Sequence, residues 1–155
     1  MNTDSVQLPG VFMVVLGVGV FITGRSGIGK SELALSLIDR GHQLVADDAP
    51  LFDRHQGHII GLCPPNFSGL LEVRNLGIIN LTHHHGPNAI AKQHTLDFKI
   101  NLTDQINAER PIQPMWQSCE MLGFSIPEIT FSTSRYLPLI IETSVREFNL
   151  QRVAP

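Results

Sequence analysis

The 155-residue chain is 43% hydrophobic and carries a net charge of −3, from 11 Lys plus Arg against 14 Asp plus Glu. That length holds one domain with its own core. The balanced charge excludes a protein whose main task is gripping a nucleic-acid backbone, which needs a basic face. Two cysteines, Cys63 and Cys119, stand far apart and make neither a metal spacing nor a disulfide framework, so they read as reduced thiols. The most apolar run, Val11 to Ile22, falls short of the roughly 20 residues that span a bilayer. Met1 to Leu8 has no Lys or Arg, unlike a secretory leader. The expectation is a cytoplasmic protein with no membrane span.

In chain order, Val11 to Val15 and Gly19 to Thr23 are β-rich and predict a hairpin. After Lys30 the pattern turns helical, with Leu33, Ala34, Leu37 and Ile38 on one face and Gly41 as the stop. Gln43 to Ala46 predicts a short strand ending at Asp47-Asp48, and Gly57 to Leu62 another, broken by Pro64-Pro65. Phe67 to Leu71 reads as a helix start and Leu76 to Leu81 as a strand. His83 to Asn88 reads as a polar loop, and Leu96 to Leu102 alternates as a strand. Thr103 to Met121 reads as mostly loop. Glu128 to Phe131 and Leu137 to Thr143 read as strands, with Ser144 to Leu150 a short helix or tail. The pattern predicts one α/β domain over 1–155.

Gly24 through Ser31 match the phosphate-loop pattern G-x-x-x-x-G-K-S. Glycines let backbone N–H groups crowd a phosphate, and the helix that follows presents its positive end to the anion. The whole stretch Gly24, Arg25, Ser26, Gly27, Ile28, Gly29, Lys30 and Ser31 is therefore the candidate nucleotide cradle. Lys30 reaches the β- and γ-phosphates, and the Ser31 hydroxyl ligates Mg²⁺. The competing reading is a glycine-rich turn with an incidental lysine; the β-run before the loop and the amphipathic helix after it argue against that. Leu44-Val45-Ala46-Asp47-Asp48 is an apolar strand ending in carboxylates, where a phosphate-loop enzyme places a metal- or water-orienting acid. If the strand continued, the two carboxylates would point to opposite sides. A turn or helix-cap Asp pair is the equal alternative from this stretch alone.

Two longer segments carry a resemblance. Leu70-Leu71-Glu72-Val73-Arg74-Asn75-Leu76-Gly77-Ile78-Ile79-Asn80 resembles the signature of the HPr kinase/phosphorylase family, and Gly17 to Asp48 is similar to the same family around its phosphate loop. The likeness extends more weakly to about residue 150. It implies an α/β phosphate-loop kinase domain related to phosphoenolpyruvate carboxykinases, with a mixed β-sheet and flanking helices. It implies an enzyme that uses ATP or pyrophosphate to phosphorylate a serine of HPr, the phosphocarrier of the sugar phosphotransferase system. The reverse reaction uses inorganic phosphate and yields pyrophosphate. It also implies a homo-oligomer, a hexamer.

By the same resemblance, Asp48 is the proton acceptor in the kinase direction and donor in the reverse, and Glu72 helps Ser31 hold Mg²⁺. Arg110 and Arg135 match family arginines, the second linked to the reverse reaction; for each, a surface ion pair is the alternative. The chain departs from the family at Pro9, where a histidine is usual, and at Arg25, where aspartate is usual. Arg25 is expected to strengthen phosphate binding or to pair with a carboxylate of the partner. His83-His84-His85 replace part of a glycine-rich loop, and their side chains diverge too much for a metal site. The family's amino-terminal domain and terminal helices are expected to be missing. Two other functions stay open: a kinase of another acceptor, and a nucleotide-binding regulatory module without catalysis.

Overall fold

A computed structural model describes residues 4–105 and 110–153. In chain order the elements are β1 (Ser5–Gln7), β2 (Val11–Val15), β3 (Val18–Thr23), α1 (Lys30–Asp39), β4 (Gln43–Ala46), β5 (Leu51–Arg54), β6 (Ile59–Leu62) and β7 (Leu70–Val73). They continue as β8 (Gly77–Asn80), α2 (Leu81–His85), a 3-10 turn (Pro87–Ala89), β9 (Gln93–Thr95), β10 (Phe98–Thr103), β11 (Gln117–Met121), β12 (Phe124–Ser132) and α3 (Leu137–Val153).

The β2–β3 hairpin forms as its sequence predicts and supplies the centre of the fold. Its strands lie in a mixed sheet of order β11-β12-β10-β3-β2-β4. The pairs β3–β10 and β10–β12 are parallel, and the rest are antiparallel. A second sheet, β1-β5-β6-β9, packs on one face, and β7–β8 form a separate hairpin. Side chains of β2 alternate strictly. Val11, Met13 and Val15 enter the core under the helices, while Phe12 and Val14 enter a second core between the sheets. Val18, Val20, Ile22 and, oppositely, Phe21 repeat the pattern in β3. Burial on both faces explains why the run is continuously apolar. Phe52 closes the second core edge-on to Phe12 and Phe21, with ring centroids 5.4 and 4.8 Å away.

Helix α1 buries Leu33, Ala34, Leu37 and Ile38, the predicted face, in the first core. Gly41, at φ 98, ends it in the left-handed conformation.

Four local expectations are corrected. Leu137 to Thr143 is the start of a 17-residue helix, not a strand. Leu137, Ile141 and Val145 are buried at fourfold spacing in the first core, and this packing overrides the β-propensity of the run. Phe67 to Leu71 starts no helix: Asn66 and Gly69 take left-handed φ values of 74 and 77, and the chain then enters β7. The histidine stretch is helical, because the Asn80 side chain accepts from Thr82 N at 3.0 Å and caps α2. Residues 117–121 are a strand, paired antiparallel with β12.

Candidate active site

The loop between β3 and α1 spans residues 24–29. Gly27 and Gly29 adopt φ values of 85 and 109, which side-chain-bearing residues rarely hold. Thr23 Oγ1 donates to Asn101 Oδ1 at 2.8 Å and fixes the strand that feeds the loop to β10. Lys30 opens α1 and folds its side chain back over the loop. Its Nζ donates to the Gly24 and Arg25 carbonyls at 2.6 and 3.0 Å. The ammonium therefore sits on the loop that forms the predicted cradle.

The acidic side of the site starts where β4 ends, at Ala46. Asp48 and Ala49 both take left-handed conformations, at φ 55 and 69. Such strain in residues with side chains is concentrated at functional sites. The strand does not continue, so the two carboxylates do not diverge; Asp47 and Asp48 line the same cleft. Asp47 accepts from Ser31 Oγ at 3.2 and 3.4 Å and from Glu72 N at 3.2 Å. Burial pushes its carboxyl up from the usual range, and those hydrogen bonds partly oppose the rise. Asp47 thus ties the loop serine to β7, a role the sequence reading did not assign to it by name. In β7, Leu71 and Val73 are buried, so alternation turns Glu72 outward toward the cleft.

These pieces enclose a cleft of about 890 Å³. Of the predicted nucleotide-site residues, Gly24, Ser26, Gly27, Gly29, Lys30 and Ser31 line it. Asp48 and Glu72, from distant segments, line it too. Arg25 and Ile28 do not. Ile28 packs against the first core, and Arg25 turns to Asp104, with Nη2 2.7 Å from Oδ2. The guanidinium holds the Asp104 carboxyl below its usual range. Arg25 thus pairs with a carboxylate of its own chain. Arg110 is exposed and Arg135 lies over the Tyr136 ring at 4.8 Å; neither lines the cleft. The sequence reading gave no role to Arg74, which does. It lies in the turn just after β7, two residues beyond Glu72.

Among the described residues no three His, Cys, Asp or Glu side chains converge as a metal set. The donor set nevertheless fits Mg²⁺ brought in with phosphates. A hydroxyl at the head of a helix stands beside carboxylates, and this ion needs only one or two of those while keeping waters and phosphate oxygens. His83, His84 and His85 are not among the residues that line the cleft; His85 Nε2 lies 3.5 Å from Asp39 Oδ1. No helix among the described residues is long and apolar enough to cross a membrane.

The site can be set beside known proteins. The family model described as HPr Serine kinase C-terminal domain matches residues 2–154. An HPr kinase/phosphorylase from Bordetella petrii is 44% identical over 144 residues, covering 88% of this chain and 46% of the relative. One from Azoarcus sp. (strain BH72) is 40% identical over 158 residues, covering 96% of this chain and 49% of the relative. The chain thus spans about half the length of the curated relatives it matches. The solved Hpr(Ser) kinase/phosphatase from Coxiella burnetii superposes with a TM-score of 0.89 at 37% identity, covering 95% of this chain and 92% of that one. The likeness runs through the whole mixed sheet and the loop it carries, and the chain belongs to the HPr serine kinase C-terminal domain family.

Proposed function

We propose that this chain is a single catalytic domain that phosphorylates a serine of HPr with ATP and runs the reverse phosphorolysis. One observation carries the reading. Lys30 and Ser31 from the loop, Asp48 from the end of β4 and Glu72 from β7 meet in one cleft.

The loop and Lys30 hold the β- and γ-phosphates. Magnesium, when bound through Ser31 and Glu72, neutralises charge on the phosphate oxygens. Asp48 accepts the proton of the incoming serine hydroxyl. As the serine oxygen bonds to the γ-phosphorus, the bridging P–O bond breaks and ADP leaves. In the reverse direction an oxygen of inorganic phosphate attacks the phosphoserine phosphorus. The bond to the serine oxygen breaks, Asp48 returns the proton to it, and pyrophosphate leaves. Asp47 positions Ser31 throughout. Pyrophosphate is the alternative phosphoryl donor, the compartment is the cytoplasm, and assembly is a homo-oligomer, a hexamer as in the family resemblance. Arg110 and Arg135 enter this reading only as residues that a bound partner would have to reach from outside the cleft.

Radiolabelled ATP incubated with this chain and HPr, with pyrophosphate formation from phospho-HPr followed in parallel, tests the assignment. Transfer to serine in the first assay and pyrophosphate in the second are expected; absence of both, with the chain folded, removes HPr as the acceptor. One observation favours a second reading, a kinase of another acceptor. Pro9 lines the cleft where the family resemblance places a histidine, so no imidazole is among the lining residues. Phosphorylation of a different protein from the same cell, and not of HPr, would select it.

A further inference from the structure

Strand β10 is interior to the mixed sheet, and it carries an asparagine where strands seldom hold one. Phe98, Ile100 and Leu102 enter the first core, so alternation sends Lys99 and Asn101 to the opposite face of the sheet. Asn101 is the cross-strand partner of Thr23, the last pair of the β3–β10 ladder before the chain leaves β3 for the phosphate loop. Its amide is used at both ends. Oδ1 accepts from Thr23 Oγ1 at 2.8 Å, and Nδ2 donates to Glu128 Oε2 of β12 at 3.0 Å. Lys99 Nζ stands 3.9 Å from the same Glu128 oxygen, and these two side chains are 24% and 17% exposed. A polar row from Lys99 through Glu128 and Asn101 to Thr23 therefore crosses three parallel strands and stops beside the first residue of the loop.

Direction makes this row specific. A threonine hydroxyl donates its proton and a carboxylate only accepts, so the residue between them must accept on one side and donate on the other. An asparagine amide does both; a leucine does neither, and an aspartate sets one carboxylate against another. Paired polar groups in a half-buried site hold each other's orientation, and one left unpaired there costs more than the bond itself contributed. The loop entry leans on the same strand. A methyl carbon on Gly24 would stand 3.2 Å from Leu102 Cβ and 3.3 Å from the Leu102 carbonyl oxygen, so the first loop residue packs on the residue that follows Asn101. The far end of the loop is fixed separately, by Ser31 on Asp47. Backbone N–H groups that must converge on phosphate oxygens tolerate little play at either end.

We propose that Asn101 is a positioning residue for the phosphate loop. By bridging Thr23 to Glu128 it sets the angle at which the chain enters residues 24–29, and through that the affinity for the phosphates of a nucleotide. Lys99 holds Glu128 in place from the neighbouring strand. None of the four lines the cleft, so the effect is carried through the loop. The proposal rests on the nucleotide-binding part of the function argued above.

The test measures Mg-ADP affinity, KM for Mg-ATP and kcat of transfer to HPr. The variants are Thr23→Val, Thr23→Ser, Asn101→Asp and the double variant Asn101→Asp with Glu128→Gln. Glu142→Gln, which breaks an ion-pair cluster with Arg40 and His42 away from the cleft, controls for loss of stability alone. Thr23→Val keeps the shape and loses the donor. It is expected to weaken Mg-ADP binding and raise KM for Mg-ATP about tenfold, as for one broken hydrogen bond with its partner left unpaired. The loop holds the phosphates in the ground state and the transition state alike, so kcat stays within about threefold of the wild type. Thr23→Ser, which keeps the hydroxyl, binds as the wild type does. Asn101→Asp loses at least as much affinity as Thr23→Val. Adding Glu128→Gln reverses the polarity of that bond, the new amide donating to the new carboxylate, and restores Mg-ADP affinity to within about threefold. Glu142→Gln keeps the wild-type affinity in its folded fraction. The proposal is overturned if Thr23→Val and Asn101→Asp bind Mg-ADP as the wild type does, whatever their melting temperatures, or if Glu128→Gln restores nothing to Asn101→Asp. Should Thr23→Val not fold, the comparison of Asn101→Asp with the double variant decides. A wild type that binds Mg-ADP and phosphorylates no HPr removes HPr as the acceptor, and the binding titrations alone then judge the role of Asn101. A wild type that binds no nucleotide overturns both.

Discussion

The two ends of α1 carry contrasting charge clusters. At its start, Lys30, Asp47, Asp48, Glu72 and Arg74 surround an open cleft, and only Asp47 among the carboxylates is tied by hydrogen bonds to the loop and to β7. At its end, Glu142 of α3 accepts from Arg40 Nε at 3.1 Å and from Arg40 Nη2. It also meets His42 Nε2 at 2.6 Å, with both side chains buried. Both Glu142 oxygens are engaged, and the Arg40 guanidinium, then His42, hold its carboxyl at about 2. A satisfied cluster of that kind fixes one helix against another and has no capacity left for a ligand. The cluster at the start of α1 has charges and lone pairs to spare, which is what a site needs. The same helix is thus clamped at one end so that its other end stays positioned.

Breaking either end should give separable results. The largest effect is expected for Asp48→Asn, which keeps shape and removes the base. Transfer to HPr should fall about 10³-fold or more, within the range for general base catalysis, while Mg-ADP binding and melting temperature stay unchanged. Loss of nucleotide binding in that variant would show that Asp48 serves the loop and not the proton.

Next is Glu142→Gln, which strands Arg40 and His42 beside a neutral amide. We expect destabilisation on the order of 3 kcal/mol in urea unfolding, with nucleotide affinity of the folded fraction retained. The carboxyl also sets an acid dependence. Its folded-state value lies below the ordinary 4.5, so its contribution is fully present above about pH 4.5 and is lost as pH falls toward 2. Wild-type stability should therefore drop through that window more steeply than that of Glu142→Gln; parallel curves would contradict the clamp.

The smallest effect is expected for Asp104→Ala. Its ion pair with Arg25 is more than half exposed, so stability should change by less than about 1 kcal/mol, and salt should erase the difference.

What could be read from the sequence follows from how local each signal is. The hairpin, the loop and α1 rest on short-range spacing, and all three form as predicted, down to the buried face of α1. The placement of Asp48 and Glu72 in the cleft was legible through family resemblance, not through their spacing. Helix α3 was misread because Leu137 to Thr143 has strand-like composition, and only contacts with α1 and the sheet decide for helix. Strands β1 and β9 pass unnoticed in sequence because each is three residues long and defined by its partners. Arg25 looked like an anion or partner contact, and its tie to Asp104, 79 residues away, has no local signature. Arg74 sat within a quoted motif without a role, because its approach to Gly27 depends on how two distant segments meet.

The central claim is tested most directly by a crystal structure of this chain with Mg²⁺, ADP and inorganic phosphate. The account predicts phosphate oxygens within hydrogen-bond distance of the backbone of residues 26–31 and of Lys30. It also predicts the cation between Ser31 and Glu72, and Asp48 facing the open side of the transferred phosphate. Phosphate bound elsewhere, or Asp48 and Glu72 turned away from it, would contradict the account.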